Sequence, residues 1–426
     1  MEVKKGYKQT EVGTVPIDWD VKPLGRLVSS VEYGSSAKSD TQGQIPVLRM
    51  GNLQNGKIDW TDLVYTSNER EISKYQLRIG DVLFNRTNSI DLVGKTSIYN
   101  GERPAIFAGY LIRINIDKSL LNSRFLNYVL NAEFSKNYSN KILSVAVGQA
   151  NINGQKLRSY PIPLPPTLAE QQAIVSTLSD VDSLLDSLDE LIAKKRFIKQ
   201  GAMQELLTGR KRLPGFNGKW EIKTLDELFH FSGGYSASRD QLSSDGYCYL
   251  HYGDIHKSNK TFIDLQTEFD DIPKLKISLK RISNSSLLDD GDIVFVDASE
   301  DDEGASRHVV VANPEGIPFI SGLHTIVAKS KTNEIDHQYR RFCFQTRAIK
   351  NQFRFYAVGT KVSGISKSNI AKIVMPVPTI IEQISIAEIL SDMDADIAAL
   401  EARREKTSLL KQGMMQELLT GKIRLV

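Results

Sequence analysis

Apolar residues recur at alternating spacings of four and three along two long segments of the chain. In the first segment they are Ile174, Leu178, Val181, Leu185, Leu188 and Ile192. In the second they are Ile386, Leu390, Met393, Ile397 and Leu400. Because these spacings place apolar side chains on one stripe of an α-helix, they predict two long helices that pair through a coiled-coil seam.

The two helical segments are copies of one another. Residues 170–213 align with residues 382–425 without a gap, and the string KQGxMQELLTG occurs in both. Each segment starts with a Thr-x-x-Glu sequence that predicts a capping box and ends at a glycine that predicts a C-terminal cap; the residues are Thr167, Glu170 and Gly209 in the first copy, and Thr379, Glu382 and Gly421 in the second. A second helix related to the first by an approximate two-fold axis must run back, so antiparallel pairing is predicted.

The remainder of the chain repeats more faintly. The segment LRMGNL at 48–53 resembles LHYGDI at 250–255, and GDVLF at 80–84 resembles GDIVF at 291–295. Short runs rich in β-formers alternate with turn residues and helical stretches, which indicates an α+β fold in each half. We therefore expect a pseudo-two-fold internal repeat with variable domains at 1–166 and 210–378, followed by helices at 167–209 and 379–426.

Composition limits the class of protein without assigning a function. The chain is 41% hydrophobic and 25% charged, with a net charge of +3, as in soluble globular proteins that can carry a local basic face. We see no apolar run long enough to cross a membrane, and the polar residues 1–10 do not resemble a secretory signal. Two cysteines do not make a disulfide framework, so the expected location is the cytoplasm.

Motifs of catalysis and cofactor binding are missing from the sequence. Residues 89–96 lack the first glycine of a P-loop, and no Asn-Pro-Pro-aromatic or Asp-Pro-Pro-aromatic tetrad of amino-methyltransferases occurs. The acidic run 299–303 is better explained as a solvated loop than as a cation site. Cys248, His251 and His256 have loosely zinc-like spacing but no second ligand pair, so we predict neither a metal site nor a catalytic residue.

Two variable domains, each followed by a helix that ends in KQGxMQELLTG, resemble the specificity subunit of type I restriction–modification systems over essentially the whole chain. The resemblance implies a non-catalytic protein with two target-recognition domains that read the two halves of a split site in double-stranded DNA. It also implies that the helices form a coiled-coil spacer that docks two methyltransferase subunits, which translocase–nuclease subunits join. S-adenosylmethionine, ATP and Mg would then bind those partners, with no cofactor on this chain.

Polar loops at equivalent places in the two variable domains supply the candidate DNA contacts. Arginine can form two hydrogen bonds with the major-groove edge of guanine, whereas asparagine and glutamine can do so with adenine. The candidates of the first domain are Arg49, Asn52, Asn85, Arg86, Thr87, Asn88, Lys95, Gln149 and Asn151. The candidates of the second domain are His251, Tyr252, Arg307, His308, Lys361 and Ser363; the run Asn85–Asn88 is replaced there by Asp297–Glu300.

The repeated helical string supplies the candidate partner contacts. They are Lys199, Gln200, Gly201, Met203 and Gln204 in the first copy, and Lys411, Gln412, Gly413, Met415 and Gln416 in the second. Glycine inside a helix costs about 1 kcal/mol relative to alanine. Its presence in both copies indicates a close backbone approach, either by the other helix or by a methyltransferase subunit.

Two other functions remain open on the sequence. One is a DNA-binding regulator with two linked heads, and the other is an assembly protein that does not touch DNA. Binding of methyltransferase subunits would separate the specificity subunit from both, and salt-dependent DNA binding would separate DNA readers from the assembly protein.

Overall fold

The computed structural model describes residues 5–146, 148–258, 260–299, 307–359 and 363–425. The chain divides into two compact units: unit 1 comprises Met1–Asp189 and Ala402–Val426, and unit 2 comprises Glu190–Glu401. Both unit boundaries fall inside long helices. Each unit therefore contains one variable region, the start of one long helix and the end of the other.

The elements of unit 1 are β1 (Tyr7–Thr10), β2 (Gly13–Pro16), β3 (Asp20–Pro23), β4 (Val28–Tyr33), β5 (Ile45–Leu48), β6 (Leu53–Gln54), β7 (Lys57–Ile58), β8 (Val64–Thr66), α1 (Glu69–Tyr75), β9 (Val82–Asn85), β10 (Thr87–Asn88), β11 (Thr96–Ile98), β12 (Ile106–Phe107), β13 (Leu111–Ile116), α2 (Ser123–Asn131), α3 (Glu133–Ile142), β14 (Ser144–Ala146), β15 (Gln149–Asn151), α4 (Gly154–Arg158) and β16 (Pro161–Leu164). Helix α5 (Leu168–Leu206) follows and continues into unit 2.

The elements of unit 2 are β17 (Glu221–Thr224), α6 (Leu225–Leu228), β18 (Phe229–Gly233), β19 (Leu242–Ser243), β20 (Tyr247–Leu250), α7 (Tyr252–Lys257), β21 (Phe262–Asp264), α8 (Leu265–Glu268), β22 (Lys274–Leu275), β23 (Ile293–Val296), β24 (Ala298–Ser299), β25 (His308–Ala312), β26 (Phe319–Ser321), β27 (Thr325–Ser330), α9 (His337–Cys343), α10 (Arg347–Tyr356), β28 (Ser363–Gly364), α11 (Lys367–Ile370) and β29 (Val374–Val377). Helix α12 (Ile380–Leu419) follows and continues into unit 1.

The two units share a sheet framework. In unit 1 a four-stranded sheet has the order β11-β9-β13-β4, and β5 pairs in parallel with β12. In unit 2 a five-stranded sheet has the order β18-β27-β23-β25-β21, and β20 pairs in parallel with β26. The α+β class and the internal repeat predicted from the sequence are confirmed.

Each core is closed by residues from both long helices. In unit 1, Ile174 and Leu178 of α5 and Leu419 of α12 are buried with Trp19 and Phe84. In unit 2, Leu206 of α5 and Ile386 and Leu390 of α12 are buried with Phe229 and Phe295. The ends of the apolar stripes are therefore buried in the two cores, and each core includes the start of one helix and the end of the other.

The helices run antiparallel within each unit. In unit 1, Asp182 pairs with Lys411 at 2.6 Å and Asp189 pairs with Arg404 at 2.8 Å. In unit 2, Lys195 pairs with Asp396 at 2.8 Å, and Lys199 lies further along α5 and pairs with Asp394. In both cases the residue number rises along one helix as it falls along the other.

The helix ends are stabilised partly as the sequence predicted. Gly209 and Gly421 adopt positive φ values of 70° and 68°, which suits a glycine C-cap. The Thr167 hydroxyl accepts the Glu170 amide N–H at 3.2 Å. The carboxylate of Glu170, however, binds Arg424 of the other helix end and does not complete a capping box. Among the described residues, no helix is long and apolar enough to span a membrane.

Candidate DNA interfaces

In unit 1 several strand ends meet at a cleft of about 470 Å³. The Arg86 amide N–H donates to the Tyr110 carbonyl at 3.0 Å, and the Ala108 amide N–H donates to the Leu48 carbonyl at 2.9 Å. These bonds hold the ends of β5 and β9 beside the start of β13. The cleft brings together four predicted residues and one aromatic residue that the sequence analysis missed: Arg49, Asn52, Thr87, Gln149 and Tyr110.

Arg49 and Asn52 have different roles in the loop that follows β5. Asn52 is buried; its side-chain oxygen accepts the Arg49 amide N–H at 2.8 Å, and its Nδ2 donates to the carbonyls of Asp59 and Thr61 at 3.0 and 2.9 Å. Arg49 Nη2 donates to the Asp62 carboxylate at 3.1 Å, and its side chain stays partly exposed in the cleft. Asn52 thus shapes the loop and Arg49 offers donors at its surface.

The predicted run after β9 also divides into supporting and accessible residues. Asn85 is fully buried and donates to the Leu92 carbonyl at 3.2 Å, so it supports the following turn. The Arg86 guanidinium lies over the Tyr33 ring at 4.9 Å. The Asn151 side chain donates to the Thr87 hydroxyl at 2.7 Å, which ties β15 to β10. Of this run, Arg86, Thr87 and Asn88 are partly accessible.

Lys95 and Arg307 occupy equivalent backbone positions in the two units. The Lys95 carbonyl accepts the Asn85 amide N–H at 2.8 Å, and the Arg307 carbonyl accepts the Val296 amide N–H at 3.0 Å. Lys95 Nζ donates to Gln54 at 3.0 Å and lines a second depression in unit 1. Arg307 donates to the His256 carbonyl. Each unit therefore places one basic residue beside the central strand of its sheet.

In unit 2 the loop after β20 is built from different side chains. The His251 Nδ1 accepts the Gly253 amide N–H at 3.0 Å and caps α7. In unit 1 the corresponding loop is held instead by the side chain of Asn52. Arg239 donates to the Asp254 carboxylate at 2.8 Å. The Tyr252 ring lies 4.6 Å from the His251 ring and 5.3 Å from the His324 ring. The framework is shared, but the groups at its surface differ.

The remaining candidates of unit 2 are not brought together at one surface. His308 is buried on β25, with its ring 5.6 Å from Phe295 and 5.1 Å from Phe344, so it belongs to the core of the unit. Ser363 pairs with Ser299 between β28 and β24. Lys361 lies outside the described residues.

Equivalent ion pairs join the two helix ends in each unit. Glu170 binds Arg424 in unit 1, and Glu382 binds Arg212 in unit 2 through Oε1 and Oε2 at 2.5 and 2.6 Å. Both glutamate side chains are 1% exposed. The hydrogen bonds to these carboxylates raise the pKa of Arg212 and of Arg424. We call these two contacts the helix-end ion pairs.

The predicted partner contacts lie partly inside and partly outside the units. Lys199 and Lys411 pair with aspartates across the helix pair, Met203 is buried, Met415 packs against the core of unit 1, and Gln204 accepts the Arg347 amide N–H at 3.3 Å. The accessible members are Gln200, Gly201, Gln412, Gly413 and Gln416. A methyl group at Gly201 or Gly413 would meet no atom within 4 Å, so neither glycine is required by packing inside its unit.

Beside these glycines lie exposed apolar residues that the sequence analysis missed. Phe197 and Ile198 are 76% and 46% exposed, and Leu409 and Leu410 are 57% and 59% exposed. We call them the apolar pairs. They occupy the same positions of the helical repeat, so an alignment of the two copies would have shown that both keep apolar residues there. The described residues contain no group of three or more His, Cys, Asp or Glu that could hold a metal ion.

Comparison with known proteins gives consistent matches along the chain. Residues 16–194 and 217–410 match the family described as "Type I restriction modification DNA specificity domain". The chain is 28% identical to the putative type I restriction enzyme MjaX specificity subunit of Methanocaldococcus jannaschii over 99% of this chain and 97% of that protein.

Two solved structures share the fold. The S subunit of a type I restriction–modification system from M. genitalium has a TM-score of 0.54 and 15% identity over 98% of both chains. A chain from a structure described as showing complex assembly and conformational transition of the type I R-M system has a TM-score of 0.60 and 15% identity, over 96% of this chain and 99% of that one.

Proposed function

The chain belongs to the type I restriction–modification DNA-specificity family, and we propose that its two variable regions read the two halves of a divided DNA site. The observation that carries the proposal is the repetition of one framework with different exposed loops. Equivalent strand ends present Arg49, Thr87 and Gln149 in unit 1, and Tyr252 in unit 2. Two loop sets of different chemistry suit two different base sequences.

The cleft of unit 1 supports base reading by its composition. Arg49 and Gln149 offer the donor and acceptor groups that recognise guanine and adenine in the major groove, and the loop around Arg49 is held by the buried Asn52. A preformed loop loses little conformational entropy when it binds. Lys95 and Arg307 would meet phosphates, which fix position without reading sequence.

The second part of the proposal is that the repeated helices dock two copies of a methyltransferase subunit, and that translocase–nuclease subunits join this core. The apolar pairs and the glycines Gly201 and Gly413 support it, because equivalent exposed surfaces suit two copies of one partner. S-adenosylmethionine, ATP and Mg would bind those partner subunits, and this chain would supply recognition without catalysis.

An exchange of one variable region tests the DNA-reading proposal. Residues 20–160 are replaced by the equivalent region of a relative, and the methylated motif is determined by methylome sequencing of a host that carries the chain and its methyltransferase. We expect one half of the motif to change and the other half to persist. A change in both halves would contradict independent readers.

A pull-down tests the docking proposal. The double variant Phe197→Ser and Ile198→Ser, and its counterpart Leu409→Ser and Leu410→Ser, should each weaken binding of the methyltransferase subunit by about tenfold or more. The matched control is Ile222→Ser, which removes an equally exposed apolar side chain from strand β17. Wild-type affinity of both double variants would exclude this surface as the docking site.

A further inference from the structure

Resting on the proposed function, we propose that Tyr110 and His324 are equivalent specificity-determining residues, each of which contacts a base in the half-site of its own unit. Neither residue stood out in the sequence. The backbone places the two side chains at one position of the shared framework.

The equivalence is established by strand register and hydrogen bonding. Leu111, which follows Tyr110, pairs with Asn85 at the end of β9, and Thr325, which follows His324, pairs with Val296 at the end of β23. The carbonyl of Tyr110 accepts the Arg86 amide N–H at 3.0 Å. The carbonyl of His324 accepts the Asp297 amide N–H at 3.1 Å. Both residues therefore stand immediately before the same strand and beside the same loop.

Sequence alignment hides this equivalence because the approach to the strand differs in length. Gly109 is followed directly by Tyr110, whereas Leu323 separates Gly322 from His324. The extra residue is accommodated by a left-handed backbone at His324, whose φ is +56°. This conformation is rare for residues with a Cβ atom and is concentrated at functional positions.

In unit 1 the Tyr110 ring is exposed to solvent within the cleft and is not needed for packing of the core. Its exposed fraction is 52%, although it lies in a cleft whose other walls include Arg49, Thr87 and Gln149. A phenol in such a place offers an apolar face for a thymine methyl group and a hydroxyl for a base edge. The adjacent arginine and glutamine supply polar contacts to the neighbouring bases.

In unit 2 the His324 ring is oriented by two contacts. Its Nδ1 lies 3.2 Å from the Asp297 carboxylate, and the Tyr252 ring meets it edge-on at 5.3 Å between centroids. The side chain remains 49% exposed. With Nδ1 held by Asp297, Nε2 is the ring atom that can meet a base. An imidazole held in this way discriminates differently from the tyrosine of unit 1, as two different half-sites require.

The test uses the complex with its methyltransferase and reads the methylated motif and the methylation rate. Tyr110→Ala should relax one base position in the first half-site, or lower methylation there by about ten- to a hundredfold, and His324→Ala should do the same in the second half-site only. Tyr110→Phe should retain the apolar contact, so its methylation rate should fall less than that of Tyr110→Ala. Matched controls are Ile79→Ala and His230→Ala, which change exposed residues at the opposite ends of the same sheets.

Tyr110→His and His324→Tyr serve as second variants if an alanine variant does not assemble, and each should alter the same base position as the alanine change. Wild-type motif and rate in all of these variants, or a change in the opposite half-site, would overturn the inference. If the wild-type complex itself methylates no divided motif, the proposed function fails and not this assignment alone.

Discussion

The two units use the same contacts where the chain repeats and different contacts where it varies. At the helix ends, Glu170 and Arg424 in unit 1 correspond to Glu382 and Arg212 in unit 2. At the strand ends, the asparagine-held loop of unit 1 corresponds to a histidine-capped loop in unit 2. The repeated segments 170–213 and 382–425 thus supply contacts that hold each unit together, and their repetition alone does not prove a partner surface.

The variable regions also differ in charge. Residues 1–166 contain 21 Lys and Arg against 15 Asp and Glu, a formal charge of +6, whereas residues 210–378 contain 23 against 21, a formal charge of +2. Positive charge governs sequence-independent DNA affinity. If both regions bind DNA as proposed, we expect the first variable region to contribute more of the sequence-independent affinity.

The largest expected effect comes from removing the helix-end ion pair of one unit while the other unit keeps its own. Arg424→Ala leaves the buried Glu170 carboxylate without its guanidinium partner and should destabilise unit 1 by about 3 kcal/mol. Arg212→Ala should lower the protection of unit 2 through Glu382, but less, because Trp220 Nε1 still donates to that carboxylate at 2.9 Å. Hydrogen exchange resolved along the chain measures each effect separately.

The control for this pair of variants is Arg403→Ala, which removes an exposed arginine from helix α12. It should change stability by less than about 0.5 kcal/mol. Equal loss of protection in both units from either single variant would show that the helix-end ion pairs do not act on separate units.

A smaller effect is expected when the loop after β5 in unit 1 and the loop after β20 in unit 2 each lose one supporting side chain. Asn52→Ala removes three hydrogen bonds from a buried amide and should destabilise unit 1 by about 2 kcal/mol. Asp254→Ala, at the corresponding position of unit 2, removes a partly exposed pair with Arg239 and should cost about 1 kcal/mol or less. Thermal unfolding of the two variants gives the ranking; a reversed order would refute it.

The sequence predicted the parts of the fold that depend on local pattern. The heptad positions are buried or partly buried as expected, since helical spacing alone decides which side chains share a stripe. Asn52 and Asn85 could not be assigned a supporting role, because burial is set by strands distant in sequence. His308 resembled a surface residue for the same reason, and Tyr110 was overlooked because only the strand register places it in the cleft.

The glycines of the repeated string offer a test in which stability and assembly move in opposite directions. Gly201→Ala and Gly413→Ala should each stabilise the isolated chain by about 1 kcal/mol, because the added methyl group meets no atom within its unit and alanine favours a helix. If a methyltransferase approaches the backbone closely there, both variants should weaken its binding. Thermal unfolding and a pull-down measure the two effects, and destabilisation of the isolated chain would show that the glycines serve the fold.

The smallest expected effect concerns the basic residues that both units keep. Lys95 and Arg307 share a backbone position although the loops around them differ, and we expect such a shared position to contact phosphate and not a base. Each phosphate contact adds about 0.9 to the magnitude of the slope of log affinity against log salt on duplex DNA, so Lys95→Gln and Arg307→Gln should each lower that magnitude by about one.

The control is Lys118→Gln, since Lys118 is exposed beyond the far end of β13. The recognised motif should stay the same in all three variants, because phosphates carry no sequence. A changed motif with an unchanged slope would instead place Lys95 or Arg307 on a base edge, and the similarity of the two units at this position would then be one of backbone alone.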